Sequence, residues 1–252
     1  MLKIAQISDC HLFADSQKCG YGQINPYQSL ARVLTELACQ PLDLLLVTGD
    51  VSADGSAQSY QHFSHLINAS GLRCEFIILP GNHDEPANMR QQFAAHNLWS
   101  SRAAHSPLLL ANWHVHLLDT KTPTSGGALS DQALRELEQT VAANTERFHL
   151  FAAHHHPLAC NAWMDQHAWQ NADKLLALVA RYPMVKGMIY GHIHHASEQM
   201  RGQCYFMSCP STCWQWAMQA QFGLSREAPG YRLLELAPDG QISTQIHRVE
   251  SF

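Results

Sequence analysis

The sequence is poor in charge. Of its 252 residues only 15% are Asp, Glu, Lys or Arg, and the formal net charge is -5. It has no run of Lys or Arg, and its pI of about 6.4 is mildly acidic. A dedicated nucleic-acid binder needs a basic face, so no nucleic-acid partner is expected. No stretch of ~18 apolar residues is present, so no membrane-spanning helix is expected either. The amino terminus, Met1-Leu2-Lys3-Ile4-Ala5-Gln6-Ile7, runs directly into a strand-like segment. It lacks the apolar core and cleavage site of a secretory signal. The eight cysteines form no Cys-x-x-Cys pair, and the nearest two, Cys209 and Cys213, are separated by three residues. Reduced, mostly buried thiols and a cytoplasmic location are the expectation. Repeats, low-complexity tracts and flexible linkers are missing too. The chain therefore reads as a single domain over residues 1–252.

What is present is a globular composition, 46% hydrophobic. Short apolar runs predict strands over 3–8, 42–48, 75–79, 115–118, 148–153 and 185–190. Between them, apolar residues at helical spacing predict helices over 27–38, 56–69 and 173–181, and a fourth capped by Ser130 and carrying Leu134, Leu137 and Val141. Pro183 stops the third of these. Strands alternating with helices imply an α/β architecture. Segments 203–208, 230–236 and 241–248 read as strands of an antiparallel end. Residues 158–172 form a Trp-bearing insertion, expected to act as a lid or to join two subunits of a homodimer.

Five polar motifs each follow an apolar run. They are Asp9-Cys10-His11, Gly49-Asp50, Gly81-Asn82-His83-Asp84, His154-His155-His156-Pro157 and Gly191-His192-Ile193-His194. Taken singly, Asp-x-His and Gly-Asp serve equally well as caps or turns. Together, in this order, the five supply enough hard oxygen and imidazole ligands for two metal ions. In open α/β sheets ligands collect beyond the carboxyl ends of strands, which places the five in one cleft. An extended backbone would point Asp9 and His11 to one side, and His192 and His194 likewise, with Cys10 packed away from the ligands. Asp50 is the natural bridge, since one carboxylate can serve two cations ~3.5–4 Å apart. Gly49, Gly81 and Gly191 are expected to permit sharp turns beside the ligands. His62, His65, His96, His105, His114 and His116 have no ligand spacing and read as ordinary residues.

On these motifs the chain resembles the calcineurin-like binuclear metallophosphoesterases. The stretches Gln6–Phe13, Leu79–Asp84, His154–Leu158, Gly191–His194, Pro210–Cys213 and Ala228–Arg232 carry the resemblance across almost the whole length. Pro210–Cys213 and Trp163–His167 narrow it to class III cyclic-nucleotide phosphodiesterases. The resemblance implies a four-layered α/β/β/α sandwich of two mixed sheets flanked by helices. It implies two metal ions drawn from Fe, Mn, Zn or Co. Asp9, His11 and His194 would hold one; Asn82, His192 and His155 the other, with His154 the competing ligand and Asp50 bridging. His83 would act on the leaving oxygen, oriented by Asp84. His11, Asp50, Asn82, His83 and His194 would also meet the substrate, a cyclic nucleotide such as 3′,5′-cyclic AMP, attacked by a hydroxide held between the metals. Trp163, His167 and Trp214 are candidates for contact with its ring, against the commoner role of such residues in core or interface packing. Two other readings remain: hydrolysis of another diester, such as a glycerophosphodiester or nucleotide, and a metal-binding scaffold without turnover.

Overall fold

Alternating apolar runs and amphipathic segments fold into two sheets in the computed structural model, which describes residues 1–93 and 106–250. The first sheet has five strands in the order β11-β10-β1-β2-β3. These are β1 (Leu2–Ile7), β2 (Leu44–Thr48), β3 (Glu75–Leu79), β10 (Gly230–Leu236) and β11 (Ile242–Arg248). The second has six, in the order β4-β5-β6-β7-β9-β8. They are β4 (Leu108–Leu110), β5 (Trp113–Leu118), β6 (Phe148–Ala153), β7 (Val185–Tyr190), β8 (Ser197–Arg201) and β9 (Cys204–Ser208). Both sheets are mixed. Strands β1, β2 and β3 are parallel, as are β5, β6, β7 and β9, while β10, β11, β4 and β8 pair antiparallel.

Among the described residues, five α-helices cover the outer faces: α1 (Pro26–Leu37), α2 (Ala57–Ser70), α3 (Pro86–Phe93), α4 (Asp131–Ala142) and α5 (Ala172–Arg181). Side-chain caps start three of them. Asn25 accepts from the Gln28 amide, Ser56 from Ser59 and Ser130 from Ala133, each satisfying a donor the helix leaves open.

Three buried clusters show the layering. Leu30, Val33 and Leu34 of α1 and Tyr60 and Phe63 of α2 pack on Ala5, Leu45 and Val47 of the first sheet. Leu134, Leu137, Leu175 and Leu178 of α4 and α5 pack on Phe151 and Met188 of the second. Between the sheets lie Ile4, Leu44, Leu46, Val115, Leu150, Ile189 and Met207. Alternate residues of one strand therefore enter different clusters, as the period of two requires. The result is the α/β/β/α sandwich that the resemblance implies. The run Leu44–Thr48 is buried at every position, since both of its faces are covered.

The elements expected from the sequence are all present, displaced by no more than two residues at any end. Helix α3 and strands β4 and β8 go beyond those expectations: α3 has few buried positions, and β8 is exposed at four of its five residues. The carboxyl-terminal region is antiparallel at β10 and β11, but β9 runs parallel to β7. No helix among the described residues is long and apolar enough to cross a membrane. His96 and His105 lie outside the described residues.

Candidate metal centre

The loops after β1, β2 and β3 meet those after β6 and β7 at one end of the sandwich, beyond the carboxyl ends of these strands. Five of the residues there, Asp9, His11, Asp50, His192 and His194, have left-handed backbone with φ between 43° and 70°. For a residue with a Cβ this conformation costs about 1–3 kcal/mol, which surrounding structure must sustain. The expectation of an extended Asp9–His11 backbone is thus corrected. The loop is turned back at both residues, and hydrogen bonds from the Asp9 and His11 amides to the Gly49 and Asp50 carbonyls hold it there. Cys10 between them is buried in the helix-side core, away from the ligands.

The glycines divide by role. Gly49 has φ 98° and turns the chain. Gly81 and Gly191 are needed for close approach instead. A Cβ on Gly81 would lie 2.1 Å from Asp50 Oδ1, and one on Gly191 would lie 1.9 Å from Ser8 Oγ.

The ligand-type atoms converge in two groups. In the first, His11 Nε2 lies 3.0 Å from His194 Nε2 and 3.7 Å from Asp50 Oδ2, and His194 Nε2 lies 3.4 Å from Asp9 Oδ1. In the second, His154 Nε2 lies 3.1 Å from Asn82 Oδ1, 3.2 Å from His192 Nδ1 and 3.4 Å from Asp50 Oδ2. Asp50 Oδ2 belongs to both. Its other oxygen, Oδ1, accepts from the His83 amide at 2.8 Å.

These atoms fit a pair of cations. His154 Nδ1 donates to the Thr48 carbonyl, His194 Nδ1 to the Trp214 carbonyl and His192 Nε2 to the His167 carbonyl. A carbonyl only accepts, so each of these nitrogens carries the proton. In the neutral ring the opposite nitrogen offers its lone pair to the cluster, as metal-binding histidines do. Asp9 Oδ1 is buried without a hydrogen-bond partner. An orphaned carboxylate oxygen 3.4 Å from the bare His194 nitrogen needs a positive charge.

The ionisation behaviour agrees. Burial pushes Asp50 upward, but His154, His11 and His83 outweigh it and hold the carboxyl well below its ordinary range. Burial also pushes Asp9 up, and His194 and His154 outweigh it. Burial pushes His11 down to about 3 despite Asp50. Burial and the neighbouring His155 and His154 rings hold His192 well below the usual value. At His154 burial acts downward, yet Asp50 draws the ring up to about 9. Asp50 thus draws positive charge into the cluster, here a proton on His154, at the point where the ligand atoms converge.

The adjacent residue behaves differently. His155 points Nδ1 at Thr120 Oγ1, 2.7 Å away, and burial followed by the neighbouring His154 pushes it down to about 2. Position before proline favours His155 as the ligand, whereas the geometry brings His154 to Asn82, Asp50 and His192. Strand β6 ends at Ala153, so His154 is the first residue to leave it, at the strand's carboxyl end.

Asp84 is a second correction. Its carboxylate accepts from the amides of Gly81, Ser52 and Val51 and from the Tyr60 hydroxyl. Among the described residues no hydrogen bond joins it to His83. It ties the Asp50 loop to the Asn82 loop, because those amides have no sheet partner beyond the strand ends. Burial and Asp50 raise it to about 6. The His83 side chain is exposed, with its ring edge-on to His11 at 5.1 Å.

A cavity of about 650 Å³ opens over the cluster, lined by His11, Asp50, Asn82, His83, His192 and His194. Trp163, Met164 and His167 of the insertion form part of its wall, together with Trp214, Trp216 and Phe222. Several supporting groups carry no motif in the sequence. Lys121 Nζ donates to the Asn82 carbonyl at 2.7 Å, and Ser211 Oγ to the Asp9 carbonyl at 2.8 Å. Only Pro210–Cys213, singled out for its resemblance, signalled the second.

Two further clusters stand apart from the cavity. His114, His116 and His149 are buried together on the helix-facing side of β5 and β6, so the first two are core residues without motif spacing. His156, Cys160 and Asp165 form the other. All eight cysteines are free thiols.

Comparison with known proteins places this arrangement. The family described as Calcineurin-like phosphoesterase matches residues 2–196. A 3′,5′-cyclic adenosine monophosphate phosphodiesterase, CpdA, from Vibrio vulnificus is 37% identical, over 99% of this chain and 91% of its own. A 3′,5′-cyclic-nucleotide phosphodiesterase from Nostoc is 37% identical over 98% of this chain and 92% of its own. Among solved structures, a dimetal phosphatase from Danio rerio aligns with a TM-score of 0.67 at 13% identity, covering 92% of this chain and 94% of that one. That last likeness is one of fold.

Proposed function

The chain belongs to the calcineurin-like phosphoesterase family, and on that premise we propose that it hydrolyses 3′,5′-cyclic AMP to AMP. One observation carries the reading: Asp50 Oδ2 is shared by two ligand clusters, 3.7 Å from His11 Nε2 and 3.4 Å from His154 Nε2. Asp9, His11 and His194 would hold one ion, Asn82, His154 and His192 the other, and Asp50 both. Imidazole, carboxylate and amide donors without thiolate suit Fe, Mn, Zn or Co. Two such ions lower the pKa of water and neutralise phosphoryl oxygens.

The chain's own residues account for the rest. Asp50 is fixed through its second oxygen by the His83 amide, so the shared carboxylate and the His83 ring keep a set spacing. The exposed His83 ring faces the cavity and hands a proton to the departing ribose 3′ oxygen. One water oxygen bonds to phosphorus, the bond from phosphorus to the 3′ oxygen breaks, the proton that the water sheds replaces the one His83 gave, and the ring opens to the 5′-monophosphate. The cysteines, all free, suit a reducing cytoplasm. The insertion at 158–172 serves as a fixed wall within a single domain.

The test is conversion of cyclic AMP to AMP by metal-loaded protein, followed by chromatography. Asp50→Ala should lose both ions and essentially all turnover. His83→Ala should keep both ions and lose about 10²–10⁴-fold in turnover. Full metal content and turnover in Asp50→Ala would remove the bridging role. Hydrolysis of glycerophosphodiesters but not cyclic AMP would move the substrate to the alternative diester class.

A further inference from the structure

Six large hydrophobic side chains are exposed among the described residues, and three of them stand together. Tyr21 is 51% exposed, Phe222 53% and Leu224 42%. The Tyr21 and Phe222 rings are 5.7 Å apart. Leu224 forms a backbone bridge with Trp216, which brings it to the same group. Tyr21 and Phe222 both line the mouth of the metal cavity.

The patch continues inward as stacked rings. Tyr21 packs edge-on against Trp214 at 5.4 Å and Trp216 at 5.2 Å. Trp214 in turn stacks on His11, at 5.2 Å and 23°, and Trp216 on His194, at 4.7 Å and 25°. The exposed faces therefore stand one aromatic layer out from two imidazoles of the first cluster. The indoles are spent on packing, since Trp214 is 4% and Trp216 7% exposed. Tyr21 and Phe222 retain free surface. A cation is also at this mouth: Lys18 Nζ lies 4.1 Å from the Phe13 ring centre, and both residues line the cavity.

Free aromatic surface beside an anion-binding centre fits a ligand that is anionic at one end and flat and apolar at the other. We propose that Tyr21 and Phe222, tilted 57° to one another and flanked by Leu224, form an aromatic platform with a corner that takes the purine base of the nucleotide whose phosphate sits at the metal centre, face-on to one ring and edge-on to the other. The proposal rests on the reading of that centre as a nucleotide site and extends it from the phosphate to the base. Bases stack on aromatic faces through their π-surfaces. A cavity of about 650 Å³ has the size of a small-molecule site. The competing occupant is a second copy of this chain, because exposed apolar patches also mark protein interfaces.

Calorimetric titration of the metal-loaded protein with AMP and with ribose 5-phosphate separates the two ends of the ligand. Both carry the phosphate; only AMP has a base. The wild type should bind AMP about tenfold or more tighter than ribose 5-phosphate. Tyr21→Ala and Phe222→Ala should each lose most of that preference, with ribose 5-phosphate affinity held. Phe222→Tyr should restore it. Equal affinities in the wild type, or a preference that survives both alanine variants, overturns the platform. So does a dimer in sedimentation that both variants dissociate with the AMP preference intact. If cyclic AMP is not hydrolysed but the AMP preference stands, the catalytic reading fails and the platform survives. If cyclic AMP is hydrolysed without any preference for the base, the platform fails alone.

Discussion

His154 and His155 both lie against His192, with ring centres 4.9 and 4.7 Å from it, but differ in their other partners. His154 presents Nε2 to Asn82, Asp50 and His192, while its Nδ1 is anchored on the Thr48 carbonyl. His155 gives one nitrogen to Thr120, and its Nε2 has no hydrogen-bond partner. His154→Ala should therefore leave about one metal equivalent per chain, whereas His155→Ala should keep both; elemental analysis after dialysis reads this directly. Loss of metal only in His155→Ala would reverse the assignment. The convergence of the five motifs was legible in the sequence because each follows an apolar strand and offers oxygen or imidazole ligands at its carboxyl end. The choice within the triplet was not, because it depends on where β6 ends and on the left-handed turns at Asp9, Asp50 and His192. Asp84 shows the same limit. Its adjacency to His83 suggested an orienting role, but its partners are amides from the β2 loop, which only the tertiary fold brings near.

At the scale of elements, the short apolar runs located the strands and the three-four spacings located the helices. Period and capping are local, so those features needed no tertiary information. The pairing of β9 with β7, and the burial of His114, His116 and His149 between β5, β6 and α4, needed it entirely. His116 Nε2 lies 2.8 Å from His149 Nδ1, and His149 Nε2 donates to the Asn144 carbonyl just beyond α4. Burial lowers the His149 pKa, and the Asn144 bond offsets this only in part. Burial lowers His114 as well, helped by Arg147. The sign follows. Below the ordinary histidine value of about 6.5 the unfolded chain takes up protons that the folded chain refuses. Stability from these rings is fully present above that pH and is lost as pH falls through it towards the lower folded values. The melting temperature of metal-loaded protein should thus drop between pH 7.5 and pH 5.5, and His149→Gln should flatten the slope. A variant with an unchanged slope would show that His149 is not a source of the acid sensitivity.

Across the whole molecule, the two sheets meet through an apolar interior and again at the ligand clusters. Asp9, His11, Asp50 and Asn82 come from the ends of β1, β2 and β3 in one sheet. His154, His192 and His194 come from the ends of β6 and β7 in the other. Each cluster mixes the two, so cations held there would clamp the sheets together at one end of the sandwich. Asp9 Oδ1 has no hydrogen-bond partner, and five left-handed residues at the clusters carry backbone strain that bound ions would help to offset. A ligand present at about 100–1,000 times its dissociation constant stabilises the folded state by about 2.7–4.1 kcal/mol. Chelation should accordingly lower the melting temperature by several degrees, and zinc or manganese should restore it. Hydrogen exchange should rise most at the carboxyl ends of β1, β2, β6 and β7, because those are the ends the clamp joins, while the centre of the apolar layer around Ile4, Leu46 and Ile189 stays protected. Uniform loss of protection over both sheets would mean that the ions support folding globally. No change in melting or exchange would mean that the carboxylates and imidazoles hold this end without them, and the pairing of the clusters through Asp50 would lose its physical basis.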